Sequence, residues 1–117
     1  MKPARFNCLT PEMLEELSSF FKMLGEPVRL RLLSSLCIQG EATVGELVER
    51  LNIGQSVVSK HMKLLHESGH VEKKKQEGRI LYYLADDTLC RLCEMAFTKI
   101  SVRADRYSKL MEHSAGS

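Results

Sequence analysis

The chain has 117 residues, 44% of them apolar and 27% charged, with a formal net charge of +2. That is enough for one core and too little for a second domain, and the composition excludes a disordered tail or a collagen-like repeat. No apolar run approaches the roughly 20 residues of a membrane span, and Met1-Lys2-Pro3-Ala4-Arg5-Phe6-Asn7 lacks the apolar stretch of a secretory signal. A cytoplasmic protein without a membrane partner is expected. In that reducing setting Cys8, Cys37, Cys90 and Cys93 are expected as free thiols, not as a disulfide scaffold.

Thr10-Pro11-Glu12 opens a first helix: Thr caps, Pro suits the first helical position and an acid favours the positive end of the dipole. Leu14, Leu17, Phe20, Phe21 and Leu24 recur at helical spacing until Gly25. Pro27 restarts the chain, and Val28, Leu32, Leu33, Leu36 and Cys37 form the apolar stripe of a second helix ending near Gly40. Gly40-Glu41-Ala42 reads as a connector. Thr43-Val44-Gly45-Glu46 is a capping box ahead of a short third helix with Leu47, Val48 and Leu51. Asn52-Ile53-Gly54 is a tight break, because Asn and Gly tolerate left-handed backbone. A fourth helix follows from about Gln55 to Ser68, with Val58, Met62 and Leu65 inward.

After Gly69 the period changes. Val71, Lys73 and Lys75, then Ile80, Tyr82 and Leu84, fall at alternate positions around Gln76-Glu77-Gly78-Arg79, the pattern of a β-hairpin. Asp86 or Asp87 caps a last helix whose stripe of Leu89, Leu92, Cys93, Ala96, Phe97, Ile100, Ala104, Tyr107 and Met111 is longer than a small domain can cover. Ser114 to Ser117 has the composition of a frayed end. The fold class is therefore mainly α with a small β-hairpin, in the order α1-α2-α3-α4-β-β-α5. It is one domain over 1–117, with an N-terminal arm (1–9), a helix-turn-helix (43–68), a wing (70–84) and a dimerisation helix (87–112).

A helix-turn-helix braces one helix and offers the outer face of the next to a major groove. On the fourth helix that face carries Gln55, Ser56, Ser59, Lys60 and Lys63, opposite the apolar stripe. Gln55, Ser56 and Ser59 suit position and base readout, and Lys60 and Lys63 suit phosphate. The hairpin adds Lys73, Lys74, Lys75 and Arg79, whose contacts to phosphates or the minor groove give affinity without sequence choice. From Lys60 to Arg79 six basic residues stand against three acids, although the whole chain is nearly neutral. Taken singly, a polar helix face is ordinarily solvated, and strand lysines guard an edge; the order helix, turn, helix, basic hairpin favours DNA. His61, near the inward side, reads as a packed histidine.

The segment Leu51-Asn52-Ile53-Gly54-Gln55-Ser56-Val57-Val58-Ser59-Lys60-His61-Met62-Lys63-Leu64-Leu65-His66-Glu67-Ser68-Gly69-His70-Val71 resembles the helix-turn-helix of the ArsR/SmtB family of bacterial repressors. Lys75-Gln76-Glu77-Gly78-Arg79-Ile80-Leu81-Tyr82-Tyr83-Leu84 resembles its wing, and Leu24-Gly25-Glu26-Pro27-Val28-Arg29-Leu30-Arg31-Leu32-Leu33 its second helix. The resemblance covers roughly Phe20 to Phe97. It implies a winged-helix homodimer, joined through the first and last helices, that occupies a near-palindromic duplex operator and lets go when an inducer binds. The long apolar stripe of the last helix argues independently for a two-fold dimer.

Thiolates bind soft ions and react with oxidants. Cys90 and Cys93 lie three apart on one helix, and Cys8, just before the first helix, is a candidate third sulfur in a dimer. This set is the candidate site for an inducer: arsenite, cadmium, zinc, an oxidant or a sulfur species. Cys37 and Cys93 also fit as small core hydrophobes. The family's cysteine motif on the third helix corresponds here to Thr43, Gly45 and Val48. Its last-helix metal pattern corresponds to Asp86, Thr88, Lys99 and Val102, so neither familiar site is present. No phosphate loop, zinc-protease motif or serine elbow suggests an enzyme. A winged-helix protein-interaction module without DNA binding, and a regulator with no inducer, remain the alternatives.

Overall fold

The structure, a computed structural model, describes residues 9–115, with side chains described through Glu112. Five helices and a small sheet follow one another as α1 (Pro11–Leu24), α2 (Pro27–Gln39), β1 (Glu41–Ala42), α3 (Val44–Leu51), α4 (Gln55–Glu67), β2 (Val71–Gln76), β3 (Arg79–Leu84) and α5 (Thr88–Ala115). Local chemistry sets the boundaries. The Thr10 hydroxyl accepts from the Met13 amide at 3.1 Å, with Pro11 in the first turn. Thr43 and Glu46 form the expected reciprocal box, each side chain accepting the other's backbone N–H. At α5 the cap is divided: the Asp86 carboxylate accepts from the Thr88 amide, and the Asp87 carbonyl accepts the first helical bond from Arg91.

Two expectations change. The stretch after Gly40 is a strand rather than a connector: β1 pairs antiparallel with β3, Glu41 opposite Tyr83 and Ala42 opposite Tyr82, giving a three-stranded sheet in the order β1-β3-β2. Ala42 is fully buried, and two residues are too few to give a period in the sequence. The last helix also continues to Ala115 rather than fraying from Ser114, while Gly116 and Ser117 lie outside the described residues.

The hairpin turns at Glu77-Gly78, both with positive φ (52° and 75°), the backbone that lets a two-residue connection follow the strands' right-handed twist. The core lies between α2, α3, α4 and the base of the sheet: Leu32, Leu33, Leu36, Leu47, Val58, Met62, Leu65 and Val71, joined by Leu89 from α5. Each such side chain removed from water contributes about 1.5–3 kcal/mol, so α4 is seated by its inner face alone. The first helix contributes differently. None of its residues is buried, and although Phe20, Met23 and Leu24 pack against the core, Met13, Leu14, Leu17 and Phe21 stay exposed, as do Phe97, Ile100, Tyr107 and Met111 on α5.

Candidate nucleic-acid interface and sulfur site

The first site begins at the turn between α3 and α4. Asn52 closes α3 in the left-handed conformation, φ 53°, which Asn tolerates better than most residues because its short amide bonds locally. The Arg31 guanidinium on α2 donates to the Leu51 carbonyl at 2.6 Å, satisfying an end of α3 that has no following turn. Gly54 then starts α4 without a side-chain cap, leaving the first-turn N–H groups open, as phosphate contact at a helix start requires.

Every one of Gln55, Ser56, Ser59, Lys60 and Lys63 is exposed, while Val58, Met62 and Leu65 on the opposite side are buried. His61 falls between. Its side chain is 15% exposed, with Nε2 4.0 Å from the Glu26 carboxylate, so it packs α4 against the start of α2 instead of facing outward. Glu26 caps α2 by accepting from the Arg29 amide at 2.7 Å. That bond, before the charges of His61 and Arg29, holds its pKa below the ordinary value.

The wing separates its basic residues by strand alternation. Lys73 and Lys75 stand opposite Tyr82 and Ile80, and Lys74 stands opposite Leu81, so the outer two share one face of the ribbon and the middle one lies on the other. Lys74 is engaged there: its ammonium is 2.8 Å from Glu41 and 5.6 Å from the centre of the Tyr83 ring, and the bond to Glu41 raises its pKa. Tyr83 donates to Glu72 at 3.2 Å, a bond that raises the phenol's pKa. Arg79 also has an acidic partner, Glu46 at 3.2 Å, which joins the tip of the wing to the cap of α3. The four basic residues of the wing are alike in composition; strand alternation separates Lys74 from its neighbours, but its acidic partner comes from a strand the sequence does not reveal.

The second site is made of sulfur. Cys37 in the last turn of α2 and Cys90 in the first turn of α5 form a disulfide, Cα–Cα 5.8 Å, across 53 residues of sequence. This overturns two expectations: the thiols are not all free, and Cys37 is not simply a core residue. The α2 stripe is wide enough to touch both the core and α5, and no periodicity can say which residue 53 positions away it will meet. Cys93 is the free cysteine among the described residues, and Cys8 lies outside them. Cys37, Cys90 and Cys93 all line a cavity of about 790 Å³ between α1, α2 and α5, walled largely by Phe21, Leu24, Leu30, Phe97 and Ile100.

That sulfur set does not fit a metal ion. Cys37 and Cys90 are bonded to each other, a structural zinc needs about four ligands, and no group of three or more His, Cys, Asp or Glu among the described residues, which do not include Cys8, is placed to hold a metal.

A family model described as "Bacterial regulatory protein, arsR family" matches residues 26–73, which span α2, β1, α3, the turn, α4 and the start of the wing. The biofilm growth-associated repressor of Xylella fastidiosa is 36% identical over 83 residues, 71% of this chain and 72% of that one. The chain belongs to the arsR family. It is thus a helix-turn-helix transcriptional regulator of a family whose similar members carry the name repressor. Among solved structures, the transcriptional repressor BigR from Xylella fastidiosa superposes with a TM-score of 0.64 at 33% identity, covering 79% of this chain and 90% of that one. An antimony-specific repressor, AntR, shares the fold with a TM-score of 0.75 at 23% identity, covering 90% of this chain and 96% of that one. No helix among the described residues is long and apolar enough to cross a membrane.

Proposed function

We propose that the protein is a cytoplasmic homodimeric repressor, not an enzyme, that grips a near-palindromic duplex and releases it when Cys37 and Cys90 are oxidised to their disulfide. The observation that carries this reading is the bond between α2, which supplies much of the core, and α5, whose apolar face is bare. Disulfides inside cells are usually transient and redox-sensing. One that ties the core to the expected dimer seam is suited to change how two DNA-reading heads are spaced.

The DNA contacts proposed are Gln55, Ser56 and Ser59 for position and readout, Lys60 and Lys63 for phosphate, and Lys73 and Lys75 on the open face of the wing; Lys74 and Arg79 would first have to leave their acidic partners. The polarity of the α4 face, exposed in the single chain, and the basic wing beside it favour this over a protein-interaction module, which would have that face covered in the dimer. The dimer is supported by the exposed apolar residues of α1 and α5, and a two-fold axis there would set the α4 helices about one DNA turn, ~34 Å, apart. Similar proteins include a probable mercury resistance repressor and an antimony-specific repressor. For this chain the paired sulfurs favour a thiol-reactive inducer over arsenite, cadmium or zinc.

Mobility shifts on the protein's own promoter, with fully reduced and fully oxidised protein across a salt series, test the reading. Reduced protein is expected to bind with an affinity that falls steeply with salt, and the oxidised form to bind about 5- to 150-fold more weakly, the range of ordinary allosteric coupling. Cys37→Ser and Cys90→Ser should abolish the difference. Equal affinity of the two forms would remove the switch, and absence of salt-dependent binding would remove the DNA interface.

A further inference from the structure

Cys90-Arg91-Leu92-Cys93 is a Cys-X-X-Cys sequence, and the fold places it at the start of a helix: α5 begins at Thr88, so Cys90 is its third residue and Cys93 its sixth. Cys90 already has a partner in Cys37, while Cys93 remains a thiol and faces the same cavity as both. Three cysteines therefore line one cavity where two suffice for the bridge. Residues three apart on a helix have Cβ atoms about 5–6 Å apart, and a disulfide needs about 3.5–4.5 Å. The gap is small, and Cys90 to Cys93 fall within the first two turns of α5, where helix ends often take the tighter 3₁₀ geometry.

We propose that Cys93 is a second resolving thiol for Cys90, competing with Cys37. The oxidant is an uncharged low-molecular-weight disulfide, RSSR, chosen because the cavity wall is apolar and Glu94 is the acid on it. The Cys90 thiolate attacks one sulfur of RSSR; the Cys90–S–SR bond forms, the RS–SR bond breaks and RS⁻ leaves with the electron pair. A second protein thiol, deprotonated, then attacks the Cys90 sulfur and expels the other RS⁻. Two protein thiols are oxidised to one disulfide and RSSR is reduced to two RSH, the two protons coming from the protein thiols. When Cys37 performs the second step the product is the α2–α5 bridge. When Cys93 performs it, the product is a bond within α5 that leaves α2 untethered.

The inference rests on the redox reading above, but its chemistry is measured separately from DNA binding. Trypsin cuts after Arg31, Arg50, Arg79, Arg91 and Lys99, so a Cys37–Cys90 bond joins peptide 32–50 to 80–91, and a Cys90–Cys93 bond joins 80–91 to 92–99. The full-length protein, with Cys8→Ser in every variant, is reduced, treated with bis(2-hydroxyethyl) disulfide, alkylated and mapped by mass spectrometry. In the parent both linked pairs are expected. In Cys37→Ser the 80–91/92–99 pair should accumulate, and in Cys37→Ser/Cys93→Ser the hydroxyethyl adduct should persist on Cys90. Circular dichroism of each variant establishes that it is folded.

A persistent adduct in folded Cys37→Ser, or a 32–50/92–99 pair in the parent, overturns the proposal. The Cys93→Ser variant provides a second measurement. With one branch closed, the dose of RSSR that half-releases the operator should fall, by about twofold if the two thiols compete evenly; an unchanged dose counts against the competition. If operator release proves independent of oxidation but the 80–91/92–99 pair still forms, the redox reading fails while the role of Cys93 stands.

Discussion

The two sites of this protein are built in opposite ways. The helix-turn-helix is assembled from neighbours in sequence: Thr43 caps Glu46, Asn52 turns the chain, and α4 turns one face to the core and the other to solvent. The sulfur site is assembled from strangers, with Cys37 and Cys90 brought together across 53 residues by the packing of α5 on α2. In the first, the capping box, the Asn52 turn and the two-faced α4 each follow local preference and agree with the fold. The second joins by a covalent bond two helices that meet at the edge of the core, where Leu89 is the α5 residue among the buried ones. Under the redox switch proposed above, this division would let the reading head keep its shape while the joint behind it changes.

The sharpest way to break the comparison is to attack the seating of α4. Leu65, 1% exposed, should cost about 2–5 kcal/mol when changed to Ala, through lost burial and the cavity left behind. Lys63→Ala, on the opposite face of the same helix, should stay within about 0.5 kcal/mol. Urea unfolding of the reduced proteins measures both, and similar losses for the two would mean that α4 is not held by its inner face.

Next in size is the bridge itself. Closing a loop of 53 residues removes freedom from the unfolded chain and should stabilise the oxidised protein by about 2–4 kcal/mol over the reduced one. Cys37→Ser should erase that difference in thermal melts. If oxidised and reduced wild-type protein melt together, α2 and α5 are already fixed without the bond, and the joint is no joint.

A smaller effect separates the two faces of the wing. Neutralising a phosphate-contacting lysine lowers the slope of log affinity against log salt by about 1. Lys73→Ala and Lys75→Ala should each do so, whereas Lys74→Ala should change the slope less, because its ammonium is already held by Glu41 at 2.8 Å. Equal slopes for all three would show that the ion pair opens on DNA.

What could be read from the sequence follows the same division. Capping residues, glycine stops and the change of period from helical to alternating are local, and they gave the helices, the turn and the hairpin as found. The family match rests on the same stretch, residues 26–73. The strand β1 was hidden because Glu41 and Ala42 become a strand only when β3 lies beside them. The partners of Lys74 and Arg79 were hidden for a like reason: Glu41 and Glu46 are more than thirty residues away in sequence. Cys37 was the hardest, since a cysteine on an apolar stripe has the same pattern whether it packs or reacts. Its proximity to Cys90 is a fact of tertiary structure alone.

The smallest effect expected concerns the cap that starts α3. The Glu46 carboxylate accepts from the Thr43 amide, and this bond, before the nearby Arg79 and Arg50 charges, holds its pKa below the ordinary 4.5. A carboxyl with a depressed folded pKa contributes stability that is fully present above its unfolded value and fades as pH falls through the folded one. The contribution of Glu46 should therefore be complete at neutral pH and disappear below about pH 4.5. Because Glu46 is 38% exposed, solvent screening keeps it small. Glu46→Gln retains an acceptor for the Thr43 amide but no charge, so its stability deficit at pH 7 should shrink on acidification until the two proteins unfold alike. A deficit that persists unchanged at low pH would assign the loss to packing and leave the charge of Glu46, and its tie to the wing through Arg79, without a part in holding the reading head.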